Sequence, residues 1–115
     1  EGKLKRDFTY INDIIGGIIA ILERHIEEAP PVLMNIGNNK PVTVNELVTV
    51  LEQAIGRKAK IDYLPMQPGD VEKTFADIKL IYNYCGFKPQ TELGTGLRRF
   101  CDWYLSYRNK KAVNN

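Results

Sequence analysis

The chain has 115 residues, which at roughly 100–200 residues per domain is one small domain or part of a larger one. Apolar residues make up 43% and charged residues 26%, an ordinary globular composition that excludes the disordered and fibrous classes. Sixteen Lys+Arg against fourteen Asp+Glu leave a net charge of +2, too balanced for a nucleic-acid-binding domain read on charge alone. Cys85 and Cys101 are too few for a disulfide framework, no Cys/His spacing suits a metal, and a reducing compartment is favoured. The uncharged apolar run Ile14–Leu22 falls short of the roughly 20 residues that span a bilayer, and no signal peptide opens the chain. The expectation is a cytoplasmic protein with neither nucleic acid nor membrane as partner. The start at Glu1 rather than Met reads as a fragment of something longer.

Arg6–Ile11 contains Phe8, Thr9 and Tyr10, types that suit a short strand. Asn12 is placed to cap a helix running to about His25, with Asp13 in the first turn and Arg24 and His25 in the last, charges that suit the helix dipole. Pro30-Pro31 ends this unit, and the apolar run Val32–Ile36 before Gly37 reads as a buried strand. Thr43-Val44-Asn45-Glu46 is a capping box, and Val44, Leu47, Val48, Leu51 and Ile55 follow at helical spacing up to a left-handed stop at Gly56. Ile61–Leu64 reads as a third strand, stopped by Pro65 and followed by the loop Met66–Asp70. Asp77 caps a short helix that ends at Gly86. Thr91 caps a longer one to about Tyr107, with Leu97, Phe100, Cys101, Tyr104 and Leu105 on its apolar face. Residues 108–115 read as a frayed or disordered tail. The fold class is α/β, with three short strands and about four helices.

One element does not suit a free-standing domain. Nine consecutive small or apolar residues, Ile14–Leu22, wrap the whole circumference of the first helix. Such a helix is either central to a core or lacks a segment that covers one face. Other candidate motifs fail. Gly94-Thr95-Gly96 has Arg99 where a dinucleotide fingerprint needs glycine and no strand before it, so it reads as a tight spot beside another backbone. Tyr84/Lys88 is interrupted by Gly86 and Pro89, and Tyr107/Lys111 falls in the expected tail. His25 with Glu28 makes no metal site, and no catalytic set can be assembled from these residues.

Four stretches in order carry a resemblance: Arg6-Asp7-Phe8-Thr9-Tyr10-Ile11-Asn12-Asp13; Asn35-Ile36-Gly37-Asn38-Asn39; Pro65-Met66-Gln67-Pro68-Gly69-Asp70-Val71 with Ala76-Asp77; and Gly86-Phe87-Lys88-Pro89 with Gly96-Leu97 and Trp103-Tyr104. Together they resemble the C-terminal part of an extended short-chain dehydrogenase/reductase acting on nucleotide sugars, nearest to bacterial UDP-glucuronate 4-epimerases. The resemblance covers essentially the whole chain. It implies that residues 1–107 are a C-terminal substrate-binding portion whose Rossmann domain is absent. It further implies that NAD is bound mainly by that absent domain, and that Val32–Ile36 lies at the edge of its sheet with the apolar helix nearby.

What the resemblance asks of this portion is a grip on UDP-sugar. Arg6 matches the family arginine on the pyrophosphate; otherwise it would be a surface ion pair with Asp7 or Asp13. Asp70 matches the acidic residue that accepts ribose hydroxyls, and otherwise belongs to an ordinary Pro-Gly-Asp turn. Gln67 stands where related UDP-galactose epimerases carry arginine, so a second cation on the pyrophosphate would come from the missing part, and Thr74 sits where some relatives place a sugar-contacting tyrosine. The implied function is the substrate-binding part of an NAD-dependent epimerase that interconverts UDP-glucuronate and UDP-galacturonate, with the chain alone inactive. The rivals are part of a nucleotide-sugar dehydratase or decarboxylase, and a non-catalytic interaction domain. Self-association through the apolar helix is a further expectation.

Overall fold

A computed structural model of the chain describes residues 2–24 and 32–113. The helical part follows the sequence closely. Helix α1 covers Ile11–Glu23, α2 Val44–Ile55, α3 Lys79–Cys85 and α4 Leu93–Val113. Helix α2 is legible residue by residue: the Thr43 hydroxyl accepts from the Glu46 N–H at 3.1 Å, and Gly56 closes the helix at φ 72°. Gly86 closes α3 in the same way at φ 74°, and the Asp77 carboxylate accepts from the Lys79 N–H at 3.0 Å. Helix α1 begins one residue before the expected cap: Tyr10, not Asn12, holds the N-cap position, and no side chain bonds there. Helix α4 begins after Thr91 and runs to Val113, beyond the expected end at Tyr107 and into the segment expected to fray. The expected last-turn residue His25 and the Pro30-Pro31 stop lie outside the described residues.

The strands differ. Two very short ones form an antiparallel pair, β1 (Lys5–Arg6) and β2 (Val42–Thr43), with Arg6 opposite Val42. On the other edge of β1, Lys5 forms an isolated parallel bridge with Lys73. Phe8–Tyr10 leads into α1 without pairing, and neither residues 32–36 nor 61–64 are strands. The reason is physical: an extended segment becomes a strand only when a neighbour takes up its N–H and C=O groups. Val32, Leu33, Ile61, Tyr63 and Leu64 are all exposed, as extended apolar segments are when no partner lies alongside.

Helices α2 and α4 pack together, and α1 lies on α3. Gly17 faces the second contact, where an added Cβ would come within 3.0 Å of the Phe87 ring and 3.4 Å of Ile36. The opposite face of α1 is the stripe Ile11, Ile15, Ile18, Ile19 and Leu22, and every one of these is exposed. Among the described residues, only Ile81, Phe87 and Cys101 are buried hydrophobic residues. The radius of gyration, 17.7 Å, also exceeds the roughly 13 Å of a compact chain this long. The apolar helix is therefore uncovered on one side rather than central to a core.

Candidate functional site

The geometry around β1 unites residues from distant parts of the chain. The Arg6 guanidinium is held from two sides. Its Nη1 donates to the Lys5 carbonyl at 2.9 Å, and its Nη2 donates to Asp70 Oδ1 at 2.6 Å. Both side chains remain partly open, at 24% and 38% exposure, so neither is sealed from a ligand. Asp70 ends a tight turn in which its N–H donates to the Gln67 carbonyl at 3.1 Å, with Gly69 at φ 86° supplying the left-handed step. Asp70 Oδ1 also accepts the Val71 N–H at 3.2 Å, while Oδ2 takes no bond among the described residues.

From this turn the chain runs along β1: the Lys5 N–H donates to the Glu72 carbonyl at 2.8 Å, and the Thr74 N–H donates to the Lys5 carbonyl at 3.1 Å. Of the four expected site residues, Arg6 and Asp70 are in direct contact and Gln67 shares Asp70's turn. Thr74 joins through its main chain, with an exposed side chain.

Arg6 does not pair with Asp7 or Asp13. Both carboxylates are turned to main-chain N–H groups instead. Asp7 accepts from Asn39, Lys40 and Ala76. Asp13 accepts from Gln90 at 3.2 Å and from Thr91 at 2.9 Å, and the Thr91 hydroxyl adds a third bond at 2.9 Å. Neither role is visible in the residues flanking Asp7 or Asp13. Asp7 ties the first matched stretch to the second and third, and Asp13 ties it to residues 90 and 91, just past Pro89; nothing in local spacing marks such long-range acceptors.

A groove of about 800 Å3 opens elsewhere, lined by Phe8, Leu47, Leu51, Leu97, Phe100 and Trp103 among others. Its lining is mainly apolar, with Asn12, Thr91, Glu92 and Arg99 the main polar residues among it. Gly96 sits at its floor because the Tyr10 ring passes there, 3.3 Å from where a Cβ would stand, so the close neighbour is a side chain and not a backbone. Gly94 and Gly96 lie inside α4 with no strand leading into it, so these residues do not fit a dinucleotide's phosphates. Tyr107 and Lys111 do share α4, contrary to the expected tail, but the Tyr107 ring stacks on Trp103 at 5.5 Å. Tyr84 and Lys88 are separated by the end of α3. Away from this site, Lys58 and the Ala59 N–H hold the Glu52 carboxyl below the usual carboxylate range. Among the described residues no helix is long and apolar enough to cross a membrane.

No family model matches the chain. Among curated proteins, UDP-glucuronate 4-epimerase 4 of Arabidopsis thaliana is 41% identical over 126 residues, covering 98% of this chain and 29% of that protein. An uncharacterised protein of Methanocaldococcus jannaschii is 37% identical over 108 residues, covering 94% of this chain and 32% of that one. The chain thus spans about a third of the length of the curated relatives it matches. Among solved structures, UDP-glucuronic acid 4-epimerase from Bacillus cereus, in complex with UDP-glucuronic acid and NAD, superposes with a TM-score of 0.75 at 31% identity. That match covers 84% of this chain and 31% of the other. MoeE5 in complex with UDP-glucose and NAD gives a TM-score of 0.83 at 27% identity over 93% of this chain and 35% of the other.

Proposed function

We propose, for a chain that matches the C-terminal part of the extended short-chain dehydrogenase/reductases, that residues 1–107 grip the UDP half of a nucleotide sugar. In this reading the parent protein is an epimerase and its substrate is UDP-glucuronate. The single observation that carries the proposal is the Arg6–Asp70 pair at 2.6 Å, formed by residues 64 positions apart. The pair presents a cation and an open carboxylate oxygen side by side. A nucleoside diphosphate needs that combination: a planar cationic fork for the pyrophosphate oxygens, and an anionic acceptor for the ribose hydroxyls.

The proposed roles are these. Arg6 is pre-set by Lys5 and Asp70, so its remaining N–H donors meet phosphate with little further ordering. Asp70 keeps Oδ1 on Arg6 and offers Oδ2 to the ribose. Gln67, in the same turn, is assigned a hydrogen bond to phosphate or ribose without adding charge, and Thr74, whose main chain pairs with Lys5, is assigned to the sugar side. A nucleotide-sugar epimerase must hold UDP firmly while its sugar turns, and a grip confined to the nucleotide half does this. The names of the curated relatives and of the Bacillus cereus structure support UDP-glucuronate as the sugar nucleotide.

NAD is assigned to the remainder of the parent protein, since Gly94 and Gly96 lie inside α4 with no strand leading into it. No hydride-transfer step is assigned to these residues, and the chain alone is expected to leave UDP-glucuronate unchanged. Its uncovered α1 face is expected to take up a second copy in isolation and the Rossmann domain in the parent. Calorimetric titration with UDP tests the reading: binding that Arg6→Ala weakens supports it, and binding indifferent to Arg6 refutes it.

A further inference from the structure

Asp7 directly follows the arginine of the proposed grip and touches no candidate ligand group. We infer that Asp7 is the positioning residue that sets Asp70 against Arg6, an inference that rests on the reading of that pair as the UDP grip. Its Oδ2 accepts the Asn39 N–H at 3.0 Å and the Ala76 N–H at 3.0 Å, and its Oδ1 accepts the Lys40 N–H at 3.4 Å. These three donors come from two loops that local sequence cannot bring to β1.

The register explains the consequence. Residues 72–74 pair with Lys5 as a parallel strand would, through the Glu72 carbonyl and the Thr74 N–H. In a continuing parallel ladder the next N–H, that of Ala76, would donate to the main-chain carbonyl of residue 7. Here the Asp7 carboxylate takes that N–H instead. The segment that begins at the Asp70 turn is therefore tied down at three successive points, and Asp7 holds the last.

The surroundings are shaped to admit this bond. Gly37 is buried where an added Cβ would stand 2.5 Å from the Ala76 Cβ and 2.8 Å from Asp7 Oδ2. Asn39 turns its N–H inward at φ 56°, the left-handed region that Asn enters more readily than most residues. The second carboxylate staple, Asp13, is chemically alike but ties α1 to residues 90 and 91 and makes no bond to the segment carrying Asp70. It is the internal control.

The test compares Asp7→Ala, Asp7→Asn and Asp13→Ala in the 115-residue chain, by UDP titration, thermal melt and amide hydrogen exchange. Asp7→Ala is expected to lower UDP affinity about tenfold, the scale of one lost charged hydrogen bond. It should also speed exchange at Asp70, Thr74 and Ala76 by at least about tenfold. Asp7→Asn keeps one carbonyl oxygen able to serve Asn39 and Ala76, so it should retain affinity to within about threefold. Asp13→Ala is expected to lower the melting temperature while leaving UDP affinity and those three amides as in wild type. Equal losses of affinity in Asp7→Ala and Asp13→Ala, or unchanged exchange at Asp70 and Thr74 in Asp7→Ala, overturn the inference. Should wild type bind no UDP, the grip reading falls, and the exchange comparison still decides whether Asp7 sets the segment. If Asp7→Ala does not fold, Asp7→Asn against Asp13→Asn makes the same comparison, with smaller effects in the same order.

Discussion

Replacing Arg6 with alanine removes the one cation that lies on Asp70 among the described residues. In the proposed complex that guanidinium also meets the pyrophosphate, and a hydrogen bond to a charged group is worth about 1.5–3 kcal/mol. At about 1.4 kcal/mol per tenfold, affinity for UDP should fall about 10- to 150-fold. The upper part of that range is favoured, because Arg6 is already held by Lys5 and Asp70, so wild type spends little on ordering it. The mutant also leaves an unpaired Asp70 carboxylate beside the incoming phosphates. Stability should change by at most about 1 kcal/mol, since both partners of the ion pair are partly open to solvent. Arg6→Lys keeps the charge but not the fork that reaches Lys5 and Asp70 together, so it should fall between wild type and alanine. Calorimetric titration with UDP and with UDP-glucuronate, beside a thermal melt, reads both quantities. The two ligands should weaken by similar factors, because the lost contact is to the nucleotide half. Unchanged UDP affinity with a lowered melting temperature would refute the reasoning and leave Arg6 a structural ion pair.

Other expectations follow from the same geometry. Asp70→Ala should weaken UDP less than Arg6→Ala and leave the salt dependence of binding no steeper, as titrations at two ionic strengths would show. The exposed stripe Ile11, Ile15, Ile18, Ile19 and Leu22 should drive self-association at micromolar concentration, at about 25 cal/mol per Å2 buried. Sedimentation should show Ile18→Glu shifting the chain toward monomer, and a wild-type monomer would contradict this. Gly37→Ala should cost about 1–3 kcal/mol by forcing Ala76 and Asp7 apart, measured by denaturant unfolding. Glu52, held below its ordinary range by Lys58 and the Ala59 N–H, lends stability at neutral pH that is lost as pH falls through its lowered value. Glu52→Gln should therefore lower the melting temperature at pH 7 and have no effect under strongly acid conditions, and an equal effect at both would exclude this assignment.

The helices were legible because their signals are local: the Thr43 hydroxyl, Glu46 and Gly56 specify α2 within one stretch of chain. The strands were not, because pairing is a property of two segments. Residues 32–36 and 61–64 carry the right residue types but find no neighbour among the described residues. The uncovered face of α1 was legible from its all-round apolar run, which a small chain cannot bury. Within the site, Arg6 and Asp70 stood out only through the matched motifs, since neither composition nor spacing predicts a contact across 64 positions. Asp7 lies in the same motif, but a carboxylate that serves distant main-chain donors looks, in sequence, like any surface acid.

The most direct measurement is an NMR titration of the isotope-labelled chain with UDP, which reports weak binding residue by residue. Shifts should concentrate at Lys5, Arg6, Gln67, Asp70 and Thr74, with the Arg6 side-chain N–H signal moving furthest, and uridine lacking phosphates should leave that signal in place. Shifts centred on the apolar groove around Leu51 and Trp103, or an Arg6 signal that ignores UDP, would contradict the proposed grip.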